Sequence, residues 1–188
     1  PVACLFGANA SGKTNVLKAM DDMRSHVLWS FRSGRPSGGV PRKCFLLDPA
    51  AAKKPSRFEV DLVVENVRWE YGFELDDDRV IEEWAYRSPH GRASLVFHRD
   101  GDDVRLGSSD RAKSRAVVEL LRPNALFLST SASANHPTLL PLYEWFERNL
   151  LLAEADSRPL RQALTTEMLG DPEREDQDLC RNYFNKGA

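Results

Sequence analysis

The spacing of apolar residues divides the chain into three stretches. In the first, an apolar run, Val2-Ala3-Cys4-Leu5-Phe6, meets a glycine-bearing loop, after which Val16, Met20, Met23 and Val27 recur at i, i+4, i+7 and i+11. That spacing predicts a strand, a loop and a helix in order. In the second, the period falls to two. Phe58, Val60, Leu62 and Val64 alternate with polar residues, and Val67, Trp69, Tyr71, Phe73 and Leu75 alternate with Arg68, Glu70, Gly72 and Glu74. Two antiparallel strands with a tight turn at Asn66 follow, with Trp69, Tyr71 and Phe73 on an inner face and Arg68, Glu70 and Glu74 on the wetter one. Asp76-Asp77-Asp78 turns the chain, and Val80, Glu82, Trp84 and Tyr86 predict a third strand that ends at Ser88-Pro89-His90-Gly91. Leu95 to Arg99 is a fourth, and Asp100-Gly101 is a hairpin signal before Val104 to Leu106. The sum is a β-meander wet on one face.

The third stretch returns to helical spacing. Ser109-Asp110 supplies a helix start, Ala112, Ala116, Val117, Leu120 and Leu121 share a side, and Pro123-Asn124 stops the helix. Ala125-Leu126-Phe127-Leu128-Ser129 is apolar without a break, which predicts a strand covered on both faces that rejoins the sheet of the first strand. Leu139, Leu142, Tyr143, Phe146 and Leu150 form one helical stripe, and Leu160, Leu164 and Met168 another. The tail from Asp171 is polar and weakly periodic.

The chain has 188 residues, 29% of them charged, with a net charge of -2. Those totals fit a globular protein of one or two domains and give no global pull toward nucleic acid or membrane. No run approaches the ~20 apolar residues of a membrane span, and no signal-peptide pattern opens the chain, so a cytoplasmic protein is expected. Cys4, Cys44 and Cys180 lie far apart without CxxC spacing, which predicts neither a disulfide framework nor a zinc site. The chain opens at Pro1 directly on an apolar strand. A piece of a longer protein is the expectation, with strands at its cut edges that tend to associate.

The densest chemistry is Gly7-Ala8-Asn9-Ala10-Ser11-Gly12-Lys13-Thr14, a P-loop by spacing and by its place between strand and helix. Gly7 and Gly12 permit backbone angles that turn successive N-H groups into one anion-binding concavity. The helix N-terminus adds partial positive charge, Lys13 adds a full one within reach of β- and γ-phosphates, and Thr14 offers a hydroxyl to Mg²⁺. Elsewhere the signals are weaker. His26, His90, His98 and His136 share no spacing, Asp76 to Asp78 reads as a solvated turn, and Glu82 and Glu83 alternate faces so that at most one enters a site. The Gly-, Pro- and Ser-rich segment from Ser30 to Lys43 carries Arg32, Arg35, Arg42 and Lys43, and reads as a solvated loop. No run of four apolar residues ending in Asp follows the P-loop; the nearest, Phe45-Leu46-Leu47-Asp48, leads into Pro49. Taken literally, the chain has the parts to bind a nucleotide and lacks those that cleave it.

The loop with its Asn9 and Asn15, followed by Val16-Leu17-Lys18-Ala19, resembles the bacterial AAA-type, ABC-like ATPases of the SMC/RecF/OLD-like group, many encoded beside restriction or abortive-infection genes. Similar segments continue through Cys44 to Asp48, Pro55 to Val60, Tyr71 to Leu75, Glu83-Trp84, Ala125 to Ser129 and Asn135-His136-Pro137. The resemblance implies an α/β P-loop NTPase lobe over residues 1-136, holding a partial sheet and a β-meander subdomain at about 57-106, with residues 137-188 as the start of a helical region. It implies ATP and Mg²⁺ as cofactors, Gly7 to Asn15 as the nucleotide site with Thr14 on the metal, and a homodimer closed around ATP. A nuclease or other effector, and nucleic acid, are implied partners, in phage defence or DNA maintenance. The Leu-Ser-x-Gly signature, the Walker B strand, the switch histidine and a glutamine near Ser129 to Asn135 are not found in the sequence. A nucleotide-gated binding module without turnover is therefore the rival reading. A P-loop kinase fits worse, because the long meander stands where a kinase needs its acceptor and lid segments.

Overall fold

The computed structural model describes residues 6-9, 11-43, 50, 53-89 and 91-150. Helix α1 (Lys13–Ser33) is followed by strands β1 (Ser56–Val64), β2 (Val67–Leu75), β3 (Val80–Ser88), β4 (Ser94–Asp100) and β5 (Asp103–Leu106), then by helices α2 (Arg111–Leu120), α3 (Phe127–Ser133) and α4 (Leu140–Arg148). The strands form one antiparallel sheet in the order β1-β2-β3-β4-β5. It is the only sheet among the described residues. The expected strand from Val2 lies outside them, and Phe6, at its end, is exposed in no regular structure.

Sequence order becomes spatial order here because each strand pairs with its neighbour in sequence, and the described connections are short. Glu65 and Asn66 take φ of 50° and 61° between the paired Val64 and Val67, a two-residue turn that matches the strand twist. Asp76 accepts at Oδ1 from the N-H groups of Asp78 (2.9 Å) and Arg79 (2.7 Å), so this aspartate forms the β2-β3 turn rather than a cation site. Gly101 and Asp102 close the last hairpin between Asp100 and Asp103.

The inner face forms as its alternation predicts. Trp69, Tyr71, Phe73 and Leu75 are buried, while Arg68 and Glu70 are exposed and Glu74 is half-buried. Against that face pack Met23, Val27 and Leu28 of α1, Phe127 and Leu128 of α3, and Leu142 and Phe146 of α4. Tyr71 meets Phe146 edge-on at 5.7 Å between ring centroids, and Phe97 meets Phe127 at 4.4 Å. The stripe of α4 is as expected, with Leu139, Leu142, Tyr143 and Phe146 buried.

Two expectations are corrected and one face left open is settled. Ala125 to Ser129 is not a strand: Phe127 opens α3, although Ala125 through Ser129 are as fully buried as a central strand would be. A short apolar run has no period that separates buried strand from buried helix. Glu83 settles it by accepting from the first N-H groups of the helix, those of Phe127 and Leu128, and Thr130 Oγ1 donates back to the Leu126 carbonyl (2.9 Å). Second, the alternation of β3 leaves its inner face open, and the structure turns Glu83 and Ala85 inward. Register sets Trp84 beside Gly72 on the outer face, and Glu83 and Ala85 beside Phe73 and Tyr71 on the inner one. Trp84 is nonetheless buried, because its indole occupies the room left by Gly72, where a β-carbon would lie 2.3 Å from Cζ2, and Arg57 covers it at 4.4 Å. Third, α2 turns Ser114 and Val117 inward and leaves Ala112, Ala116 and Leu120 exposed. Ser114 faces in because its Oγ is bonded to His136 Nε2 (3.0 Å).

Glu83 is fully buried at the centre of the sheet, one of two charged side chains, with Arg99, that the described core takes in almost completely. Its carboxylate accepts from the N-H groups of Phe127 and Leu128 (3.0 Å), the first turn of α3, and from the Tyr71 hydroxyl (3.1 Å). Cross-strand from it, Arg99 donates to the carbonyls of Ala125 (2.7 Å), Gly101 (2.8 Å), Arg122 and Pro123 (both 3.3 Å). Burial pushes the Glu83 carboxyl up from 4.5 to about 7, opposed by the Arg99 charge and the three donors. The folded protein thus holds a proton that the unfolded chain has already released between about pH 4.5 and 7. The stabilisation this group supplies is complete below pH 4.5 and is lost as pH rises through 7, by on the order of 3 kcal/mol. Urea unfolding of wild type and Glu83→Gln across this range should show wild type losing stability relative to the variant as pH rises. A difference that does not change with pH would rule out titration of Glu83.

Candidate functional site

The loop before α1 takes the form its glycines allow. Gly12 sits at the helix N-cap with φ 88° and ψ 7°, in the left-handed region where a β-carbon is strained. Gly7 lies against Ser11, where a β-carbon would come 2.8 Å from Oγ. The Ser11 N-H closes a turn on the Ala8 carbonyl (3.2 Å), and the Asn15 N-H begins the helix on the Gly12 carbonyl (2.9 Å). Gly7, Ala8, Ser11, Gly12 and Lys13 are brought together. Asn9, Thr14 and Asn15 lie beside them, and Ala10 lies outside the described residues.

Lys13 folds back across the loop. Its Nζ donates to the carbonyls of Gly7 (2.7 Å) and Ala8 (2.6 Å), with Ser11 Oγ at 3.4 Å. These acceptors are neutral, and among the described residues no carboxylate pairs with the ammonium. Its full charge therefore stays at the loop mouth. The amides of Lys13 and Thr14, first in the helix, have no acceptor within it, and the helix dipole places its positive end at the same point. An anion replacing the two carbonyls as partner of Nζ would gain a charge-assisted bond. The Thr14 hydroxyl stands in the first turn, where it fits Mg²⁺ whose other ligands are phosphate oxygens and water. Among the described residues no group of three or more His, Cys, Asp or Glu is placed to hold a metal by itself.

Beyond the loop, only half of the predicted α1 stripe is covered. Met23 and Val27 are buried, while Val16, Leu17 and Met20 are 50%, 45% and 42% exposed and Phe6 is 91% exposed. The sheet, α3 and α4 pack on the later turns of the helix, and the first two turns carry the loop away from them. What fixes the far end cannot be read from periodicity. Ser30 Oγ accepts from the Leu126 N-H (3.1 Å), Ser129 Oγ from the Phe31 N-H (3.2 Å), and Arg122 donates to the carbonyls of Phe31 and Gly34. Arg24 donates to the carbonyls of Phe146 (3.0 Å) and Glu147 (3.1 Å), across more than 120 residues of sequence.

The remaining candidates resolve into structure. His26 packs between Phe58 and Phe73, His98 is bonded to Glu82 (2.7 Å), and His136 is buried against Ser114; burial holds His26 and His136 below the usual histidine range. They converge on no common point, and His90, Asp48 and all three cysteines lie outside the described residues. In the basic loop, Lys43 pairs with Asp22 (2.6 Å) and Arg42 with Asp77 (2.9 Å). A cavity of about 420 Å³ between this loop and α1 is walled by Asp21, Trp29 and Asn124. Asp21 is already about 12 Å along the helix from Lys13, so this cavity does not continue the P-loop.

Among the described residues no helix is long and apolar enough to cross a membrane. Neither a curated protein nor a solved structure matches the chain. A family match, by contrast, runs nearly its full length and supports nucleotide binding of the AAA kind. Matched from residue 2 to residue 182, the chain belongs to the family described as "AAA domain, putative AbiEii toxin, Type IV TA system".

Proposed function

We propose that the chain binds ATP with Mg²⁺ through Gly7 to Asn15, as the nucleotide-binding lobe of an SMC/RecF/OLD-like ATPase that dimerises around the nucleotide. The observation that carries this reading is the Lys13 ammonium, held at the mouth of a two-glycine loop by carbonyls alone. In the bound form Lys13 releases those carbonyls for the β- and γ-phosphates. The amides from Gly12 to Thr14 face the same phosphates, and Thr14 takes one position on Mg²⁺. Gly12 is needed because its left-handed backbone turns the loop into the helix.

Dimerisation is supported by the surface beside the loop. Val16, Leu17 and Met20 present an apolar face directly after the residues that would hold the phosphates. Closing a second subunit over the nucleotide would cover that face, and ATP would supply the differential affinity for the closed state. Phage defence is a setting compatible with the family's description, which names a toxin of a toxin-antitoxin system. A cytoplasmic location and an effector partner, such as a nuclease, belong to the same proposal.

Titration calorimetry with MgATP should show binding by wild type and its loss in Lys13→Ala, with Gly12→Ala weakened by at least tenfold. Equal affinity in all three would mean that the nucleotide, if bound, sits elsewhere. Light scattering should show self-association that rises with MgATP and falls in Val16→Ser/Met20→Ser. Association indifferent to both nucleotide and these substitutions would remove the dimer from the proposal.

A further inference from the structure

The cavity of about 420 Å³ beside α1 has no part in the nucleotide reading. Its floor is one face of the helix, from Asp21 through Trp29 to Ser33, and its roof is the loop from Gly34 to Lys43. The roof is tied down at three points. Asn124, 5% exposed, donates through Nδ2 to the carbonyls of Arg35 (2.8 Å) and Gly38 (2.7 Å), the Val40 N-H donates to the Asp77 carbonyl (2.8 Å), and Lys43 pairs with Asp22 (2.6 Å). The chain's own bonds thus hold the cavity in shape, and its volume lies in the range of small-molecule sites. Its charge is uneven. At the Asp21 end two carboxylates face one ammonium, because Lys43 is taken by Asp22 while Asp21 has no hydrogen bond or ion pair among the described residues. His26 is held below the usual histidine range by burial and adds no charge at neutral pH. Arg35 borders the other end, beyond Ser33, which is about 18 Å along the helix from Asp21. Over that distance, about twice the Debye length of ~8 Å at physiological salt, it does not cancel Asp21. Between the two ends Trp29, 49% exposed, supplies an aromatic wall, with Val40 and Pro41 from the loop.

We propose that this cavity binds a small flat organic cation, a ring bearing an amine or amidine, with its nitrogen on Asp21 and its plane against Trp29. A carboxylate accepts from two N-H groups of an amidinium in two-point geometry, and an indole attracts the same charge while it packs the ring. Arg32, which does not line the cavity, already stands 5.6 Å over that indole, so the ligand takes the side toward the cavity. The span fits one such molecule. Asp21 and Trp29 are eight residues apart, about 12 Å of helix, and the lean of helical side chains toward the N-terminus brings the indole back over the turn between them. An anion would meet the unmatched carboxylate, and a neutral ring would leave it without a partner.

The inference is independent of the nucleotide reading, and its test keeps the two apart. The probe is benzamidine, added to the nitrogen-labelled 188-residue chain while the indole N-H signals of its four tryptophans are followed by NMR. Trp29→Leu identifies the Trp29 signal by its loss. Benzamidine should move that signal and leave those of Trp69, Trp84 and Trp145 in place, with a Kd of about 1 mM or tighter, the range open to a ligand of its size. Benzamide, its neutral isostere, should bind about tenfold more weakly, and benzoate should not bind. Asp21→Asn should erase the preference for benzamidine over benzamide, and Arg35→Gln should leave it unchanged. All of this should persist in Lys13→Ala, in which MgATP binding is expected to be lost. A Trp29 signal that stays still at about 10 mM benzamidine, equal affinity for benzamidine and benzamide, or an unchanged preference in Asp21→Asn would overturn the proposal. So would loss of the benzamidine response in Lys13→Ala, which would trace it to the nucleotide loop.

Discussion

One buried carboxylate organises the described fold. Glu83 stands where the alternation of β3 faces the core, and an unpartnered carboxylate there would be among the most costly groups a core can hold. It is tolerated because the first two N-H groups of α3, themselves buried and without helical acceptors, need an acceptor in that place. Arg99, one strand over, does the converse job and collects the carbonyls of the segment leading into the helix. Carboxylate and guanidinium together satisfy both kinds of backbone group where the chain passes from α2 to α3. The segment so held provides the contacts that fix the end of α1.

The parts of the fold that local rules govern are legible in the sequence. The meander is written in a period of two, with Trp69, Tyr71 and Phe73 in phase and turn residues where the loops occur, because each strand pairs with its neighbour in sequence. The helix after the loop and the stripe of α4 are legible for the same reason. The loop itself carries its geometry in Gly7 and Gly12, and its family in residues that match almost throughout.

What escapes a sequence reading depends on contacts distant along the chain. Ala125 to Ser129 has the composition of a buried strand and lies as deeply as one, but its backbone is decided by Glu83, more than forty residues earlier. The phase of β3 stays open in sequence, because only the pairing of Trp84 with Gly72 makes room for an indole outside. Arg105 on β5 and Arg111 and Arg115 on α2 give no joint signal in sequence, and only packing sets them along one groove between strand and helix.

Helix α1 is built into the core over its later turns and stands free over its first two, where the loop begins. Mechanically it is a rod about 30 Å long whose first two turns, about 11 Å, overhang the core, held mid-length by Arg24 and at its far end beside Ser129. At that far end it meets the short segment from Arg122 to Ser129, which the sheet also grips through Glu83 and Arg99. Whatever tilts the tip is resisted there by hydrogen bonds, which have directions, as well as by apolar packing, which can slide.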